Sequence, residues 1–311
     1  MTYTRPNTPR LALNALGATA AALALTAGTA SPAGAAGAPD RPRPRAERYV
    51  ALGDSFTAGP LIPRQVNFLC SRSDTNYPSL TARSLDVAAF RDVSCINAKT
   101  DHMWRYQAVT GNPAQLNALG TDTTLVSLGI GGNDINFTEI LLKCTFPFSP
   151  IPEGSPCQQR FTNADGTDEL AKRTDETAPK VGAVLHEIHA RAPHARVVVV
   201  GYPALLSEDG QGCRESLKIA DGDIPYLRGT VRRLNAMLRR EAVAAGAMYV
   251  NTYATTVGHD ACQAPEDRWI EGMNPVEPGR AASFHPNADG ERAMAEAVTD
   301  ALLDGPAAKQ R

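Results

Sequence analysis

Beyond residue 36 the chain has no apolar run long enough to cross a bilayer as a helix, which excludes a membrane-spanning helix in that part. A surplus of one charge is also missing. Thirty-one Lys and Arg stand against 33 Asp and Glu, a net charge of −2, so nothing marks nucleic acid as a partner. The six cysteines include no Cys-x-x-Cys, which removes the usual zinc scaffold. His186, His189 and His194 have no carboxylate or cysteine at ligand spacing and read as a solvated helix face. No internal repeat is visible, and neither a metal nor a cofactor is expected.

What remains is ordinary globular composition, 43% hydrophobic and 21% charged. The first residues are different. Arg5 and Arg10 precede an alanine-rich apolar run over 11–27, then small residues with several Ala-x-Ala sites. This predicts a secretory signal peptide over 1–36. A Pro/Arg-rich linker covers 37–47, one domain covers 48–305, and a short tail covers 306–311. In an exported chain six cysteines argue for three disulfides, although spacing alone permits fifteen pairings.

Strand-like runs fall at 48–52, 88–94, 124–128, 196–200 and 248–251. Helical stretches are predicted at 77–85, 115–119, 168–191, 225–245 and 287–303. Such alternation implies an α/β fold, a three-layer α/β/α sandwich on a mainly parallel sheet, with ligands at the carboxyl ends of the strands.

Three segments carry chemistry. Gly53-Asp54-Ser55 follows the first strand; alone it is more often a turn than a nucleophile, and Thr57 stands where the Gly-x-Ser-x-Gly elbow needs its second glycine. Gly129-Ile130-Gly131-Gly132-Asn133-Asp134 follows the third strand, and its Asn133 amide can donate to developing negative charge. Ala282-Ser283-Phe284-His285-Pro286-Asn287 sits just before the last helix, a good mounting for a base. Asp54 and Asp134 read as loop-holding residues.

Together, and in this order, these segments resemble the blocks of the SGNH (GDSL-type) hydrolase superfamily, in particular its secreted, three-disulfide actinomycete lipases and esterases. The resemblance spans nearly the whole chain after residue 47. It implies a flavodoxin-like fold, Ser55 as nucleophile and His285 as general base. The oxyanion hole would comprise the Ser55 N–H, the Asn133 side chain and a third donor. The family has a glycine at that third position; here the stretch is Cys95-Ile96-Asn97-Ala98, which places Asn97 there, and Asn tolerates left-handed backbone better than other non-glycine residues.

The family also usually carries Asp three residues before the histidine, where this chain has Ala282. A backbone carbonyl at Ala282 or Ser283 is therefore expected to orient the imidazole, giving a Ser–His dyad; Asp260 and Asp289 are weaker choices. The resemblance further selects the pairs Cys70–Cys95, Cys144–Cys157 and Cys213–Cys262.

The implied activity is secreted esterase or lipase action on acyl esters, small or lipid-type, by a monomer with transient contact to a lipid interface. Phospholipase A-type and carbohydrate O-deacetylase activities share the machinery, and a non-catalytic binding module on the same fold is the alternative of another class. The loops at 61–76 and 143–163, with Leu61, Ile62, Phe68, Leu69, Phe146 and Phe148, lean toward acyl chains. Trp104 and Trp269 are candidates for an acyl pocket or for plain packing.

Overall fold

A computed structural model of the protein describes residues 47–145, 153–211, 213–273 and 280–304. The expected signal peptide at 1–36, the linker apart from Glu47, the tail at 306–311, Phe146 and Phe148 lie outside the described residues. In chain order the elements are β1 (Arg48–Gly53), α1 (Ser55–Ala58), a small hairpin of β2 (Gln65–Asn67) and β3 (Arg72–Ser73), α2 (Tyr77–Ser84) and β4 (Ala89–Asp92). Two 3-10 turns, Thr100–Met103 and Gln115–Ala118, lead into β5 (Leu125–Gly129) and α3 (Phe137–Cys144). Then come α4 (Pro156–Arg160), α5 (Glu169–Arg191), β6 (Arg196–Val200), α6 (Cys213–Leu217), α7 (Asp223–Ala244), β7 (Met248–Val250), α8 (Thr252–Thr256) and α9 (Ala288–Asp304).

Strands rich in aliphatic residues on both faces need a cover on each side. The alternation of side chains decides which cover each residue meets. Val126, Leu128, Val197 and Val199 pack with Val181, Val184 and Leu185 of α5 and with Val231, Leu234 and Leu238 of α7. Leu125, Val198 and Val200 point the other way, to Tyr77 and Ala82 of α2 and Met294, Val298 and Leu302 of α9. The result is the expected three-layer sandwich. Each such buried aliphatic side chain contributes about 1.5–3 kcal/mol.

All neighbours in the five-stranded sheet are parallel, in the order β4-β1-β5-β6-β7. Counted within this sheet, that is the doubly wound 2-1-3-4-5 order, whose direction reverses between β1 and β5. Ligands of such folds bind outside the carboxyl ends of the strands at that reversal. Gly53 and Gly129 are paired there as the last residues of their strands, so Ser55 and Asn133 leave the sheet side by side.

Local chemistry sets the helix limits. Asp168 caps α5 by accepting from the N–H groups of Leu170 and Ala171. Helix α7 starts at Asp223, two residues before the expected 225, because Pro225 fits the first turn, where its missing N–H is not needed. The segment 115–119 is a 3-10 turn and not an α-helix. The short α1 and the β2–β3 hairpin fall in stretches without a hydrophobic period long enough to announce them.

The structure contains the disulfides Cys70–Cys95, Cys144–Cys157 and Cys213–Cys262. They span 25, 13 and 49 residues. By loop-closure entropy each disfavours the unfolded chain by about 3–4 kcal/mol.

Candidate active site

The turn that presents Ser55 is built on two glycines. A Cβ at Gly53 would lie 2.2 Å from Thr57 Oγ1 and 2.7 Å from the Gly129 carbonyl oxygen. At Gly129 it would lie 2.6 Å from the same Thr57 oxygen, so β1 and β5 approach α1 more closely than any side chain allows. Gln115 clamps Gly53 from the other side, accepting from its N–H at 2.8 Å and donating to its carbonyl at 2.9 Å. Asp54 then caps α1, its carboxylate accepting from Phe56 N–H at 2.9 Å. Ser55, at the first helical position, keeps an N–H with no intrahelical acceptor. No other acceptor pairs with it among the described residues.

His285 reaches this serine across 230 residues of sequence. Its Nε2 lies 2.8 Å from Ser55 Oγ. Its Nδ1 lies 2.8 Å from the Ser283 carbonyl oxygen. A carbonyl can only accept, so Nδ1 carries the proton and bare Nε2 is free to take one from the serine. Among the described residues no carboxylate bonds the imidazole; Asp260 and Asp289 are engaged elsewhere, with Cys262 N–H and Arg292 respectively. The Phe56 ring stacks on the imidazole at 4.6 Å between centroids.

The histidine loop has a polar foundation that sequence reasoning missed. Glu271 N–H donates to the His285 carbonyl and its own carbonyl accepts from Phe284 N–H, both at 2.9 Å. Its fully buried carboxylate binds Arg268 at 2.7 Å, Arg280 at 3.2 Å and Asn287 at 3.0 Å. A short-range pattern gives no hint of this, because the arginines gain their meaning only when the loop closes. Pro60 adds a tie, its carbonyl accepting from Ala282 N–H at 3.0 Å.

Asn133 stands on the second loop. Its Nδ2 donates to the Ala98 carbonyl at 2.9 Å, which fixes the amide and leaves its second N–H for the cavity. Asp134 holds the neighbouring loop, accepting from Thr100 N–H at 3.0 Å and Thr100 Oγ1 at 2.5 Å. Tyr202, also missed, links the serine turn to this loop: its hydroxyl donates to Asp54 at 2.5 Å and accepts from Gly132 N–H at 2.7 Å. Its place just after β6, at the same sheet edge, was the available signal. Burial raises the Asp54 carboxyl to about 7, against the lowering effect of its hydrogen bonds.

Ser55, Asn133 and His285 line one cavity of about 360 Å³, within the usual range for small-molecule sites. Its apolar wall comes from Phe56, Phe137, Leu141, Met273 and Phe284. Of the loops expected to supply that wall, the described part places Thr145 on the cavity, Ile62 buried elsewhere, and Leu61, Phe68 and Leu69 facing solvent. Neither tryptophan lines it; Trp269 stacks on His259 at 3.6 Å and Trp104 is exposed. Asn97 is exposed beside Ala98 and is not part of the lining. It has the left-handed φ of 59° that a glycine would favour, and its N–H has no acceptor among the described residues.

Burial lowers the His285 imidazole to about 4, only partly offset by its bond to the Ser283 carbonyl. The imidazole is thus neutral at any pH above that value. As the neutral form is the base, kcat/KM should hold steady down to mildly acid pH and fall only as pH drops through about 4. A pH–rate profile on a dissolved ester checks this; an acid limb near 6.5 would contradict it.

Comparison with known proteins agrees with this geometry. Residues 51–293 match the model of the GDSL-like Lipase/Acylhydrolase family. Over 263 residues the chain is 43% identical to Lipase 2 of Streptomyces coelicolor, covering 82% of this chain and 85% of that one. It is 33% identical to an esterase of Streptomyces scabiei, covering 81% and 85%. Among solved structures, a phospholipase A1 from Streptomyces albidoflavus superposes with a TM-score of 0.68 at 26% identity, covering 82% of this chain and 99% of that one. An extracellular lipase from Streptomyces rimosus gives 0.66 at 26% identity, covering 82% and 100%. The reading as a non-catalytic module falls with these matches. The chain belongs to the GDSL-like lipase/acylhydrolase family and is a carboxylic-ester hydrolase.

Proposed function

We propose that the protein is an exported hydrolase of lipid-type acyl esters that works through an acyl-enzyme on a Ser55–His285 dyad. The observation that carries this is the 2.8 Å contact between Ser55 Oγ and His285 Nε2 at a largely apolar cavity. Ser55 Oγ attacks the ester carbonyl while Nε2 takes its proton. The imidazolium that forms is held by the Nδ1–H bond to the Ser283 carbonyl. The tetrahedral oxyanion is met by the Ser55 N–H and the Asn133 amide, with the Asn97 N–H as third donor. Collapse expels the alcohol, which leaves with the proton from Nε2. Water then enters by the same route in reverse and frees the acid.

Lipid-type substrates are favoured over acetylated sugars by the five apolar side chains of the cavity wall, since a deacetylase needs a small polar site. The phospholipase A1 among the structural relatives supports a phospholipid as a further substrate. Export is supported by the amino-terminal pattern and by the three disulfides, which persist in oxidising surroundings; the active form is a monomer. A panel of p-nitrophenyl esters from acetyl to palmitoyl, with phosphatidylcholine alongside, tests the substrate reading. Turnover should rise from acetyl to medium chains; hydrolysis confined to acetyl esters would reject it.

The dyad is tested separately. Asp260→Asn and Asp289→Asn should each keep turnover within about twofold, because the carboxylates they replace are engaged with Cys262 N–H and Arg292 and not with the imidazole. A collapse in either folded variant would reveal an acid partner for His285.

A further inference from the structure

β6 ends on Val200, and the chain then passes Gly201 and Tyr202 at the same sheet edge as Ser55 and Asn133. Main-chain bonds lock both residues. Gly201 N–H donates to the Val250 carbonyl at 3.0 Å, and its own carbonyl accepts from Thr252 Oγ1 at 2.5 Å. The buried Asn235 of α7 grips the next residue at both ends, accepting from Tyr202 N–H and donating to its carbonyl, each at 2.8 Å. Only glycine fits between these neighbours: a Cβ at Gly201 would lie 2.3 Å from Tyr249 Oη and 3.1 Å from Asn235 Oδ1. Tyr202 thus starts from a backbone that α7, β7 and α8 hold on three sides.

From that base one buried side chain reaches all three catalytic segments. Its hydroxyl donates to Asp54, beside the nucleophile, and accepts from Gly132 N–H, beside Asn133. Its ring meets Phe56 edge-on at 5.1 Å between centroids, and Phe56 in turn stacks on His285. The fit to the oxyanion loop is close. A Cβ at Gly132 would lie 2.9 Å from Tyr202 Oη and 3.1 Å from its Cζ, so the loop lies directly on the ring. Burial, and after it the Asp54 carboxylate, push the hydroxyl well above its ordinary range, so it stays a donor. Removing the oxygen alone would leave the Asp54 carboxylate and Gly132 N–H each short of a partner in a buried place.

We propose that Tyr202 is a positioning residue of the reaction, an inference that rests on the roles given above to Ser55, Asn133 and His285. Its hydroxyl sets the distance between the nucleophile turn and the oxyanion loop, and so the aim of the Asn133 amide. A misplacement of about 1 Å in such a group costs up to about a hundredfold in rate. The loss falls in the transition state, where the charge appears. Tyr202 does not line the cavity, so substrate binding is left alone.

The test is Tyr202→Phe, alone and combined with Asn133→Ala, in steady-state hydrolysis of p-nitrophenyl butyrate. Alone, it should lower kcat about ten- to a hundredfold with KM within about twofold. Added to Asn133→Ala, it should lower kcat by less than about threefold, because the amide it aims is already gone. Tyr253→Phe is the control. That hydroxyl bonds Glu208 at 2.7 Å, away from the catalytic segments, and its loss should leave kcat within about twofold. Gly132→Ala is a second arm, since its methyl pushes on the ring while the hydroxyl stays. It too should lower kcat at least about tenfold, and by less than about threefold beside Asn133→Ala; it carries the test if Tyr202→Phe does not fold. A kcat close to wild type in either variant overturns the proposal. So do equal losses with and without the Asn133 side chain, or a rise in KM at constant kcat. If Asn133→Ala itself leaves kcat unchanged, the oxyanion assignment fails and the role of Tyr202 falls with it.

Discussion

Ser55→Ala should lower kcat on a dissolved ester by about 10⁴- to 10⁶-fold, the scale on which catalytic units fail when their nucleophile is removed. The geometry explains why so little would remain. Without Oγ, the neutral Nε2 of His285 has no proton to take, and the cavity can only hold an ester beside water. A second substitution, His285→Ala, should then add almost nothing, because the two groups act as one unit. The protein should stay folded: Ser55 is half-buried and its hydroxyl makes one bond, to the imidazole, worth about 1 kcal/mol of stability. Labelling by a fluorophosphonate, read by intact mass, should be complete for the wild type and absent for Ser55→Ala. Retention of more than about one per cent of wild-type turnover, with no contaminating esterase, would remove Ser55 from its role.

Asn133→Ala should cost about 10²- to 10³-fold in kcat, as loss of one oxyanion donor does, with KM nearly unchanged. The second N–H of this amide has a fixed direction only because the first is spent on Ala98. Such an oriented donor gains most when charge develops, so its loss is felt in the transition state and hardly in substrate binding. The variant should still be labelled at Ser55, only more slowly, since the serine and imidazole are untouched. Steady-state kinetics separate the outcomes. A rise in KM at constant kcat would mean that Asn133 merely binds substrate.

Much of this site was legible in the sequence because its parts sit on strand ends, and strand ends are announced by apolar runs. Ser55 follows Tyr49-Val50-Ala51-Leu52, and Asn133 follows Leu125-Val126-Ser127-Leu128; periodicity places both at the same sheet edge. Ala282, standing where an acid was expected, pointed to a backbone acceptor, and the structure puts the Ser283 carbonyl on Nδ1. The left-handed backbone expected at Asn97 is present, with φ at 59°. What stayed hidden depends on long-range closure. Tyr202 gains its two partners from segments 148 and 70 residues away. The buried Glu271 gathers charges that look solvated on paper. The described apolar wall was not foreseen because Phe137 and Leu141 of α3, Met273 and Phe284 approach the serine only in three dimensions.

The acceptor on Nδ1 belongs to the main chain, and this has a consequence for how such a protein can vary. A peptide carbonyl is neutral at every pH and is present whatever amino acid occupies position 283. The orienting function is therefore stored in the path of the loop and leaves no letter in the sequence. The carbonyl survives any change at 282 or 283 that leaves this path intact, and the path is kept by Glu271, Pro60 and the Ser283 hydroxyl, which donates to the Met273 carbonyl at 2.6 Å; a carboxylate in the same role would be lost to a single change.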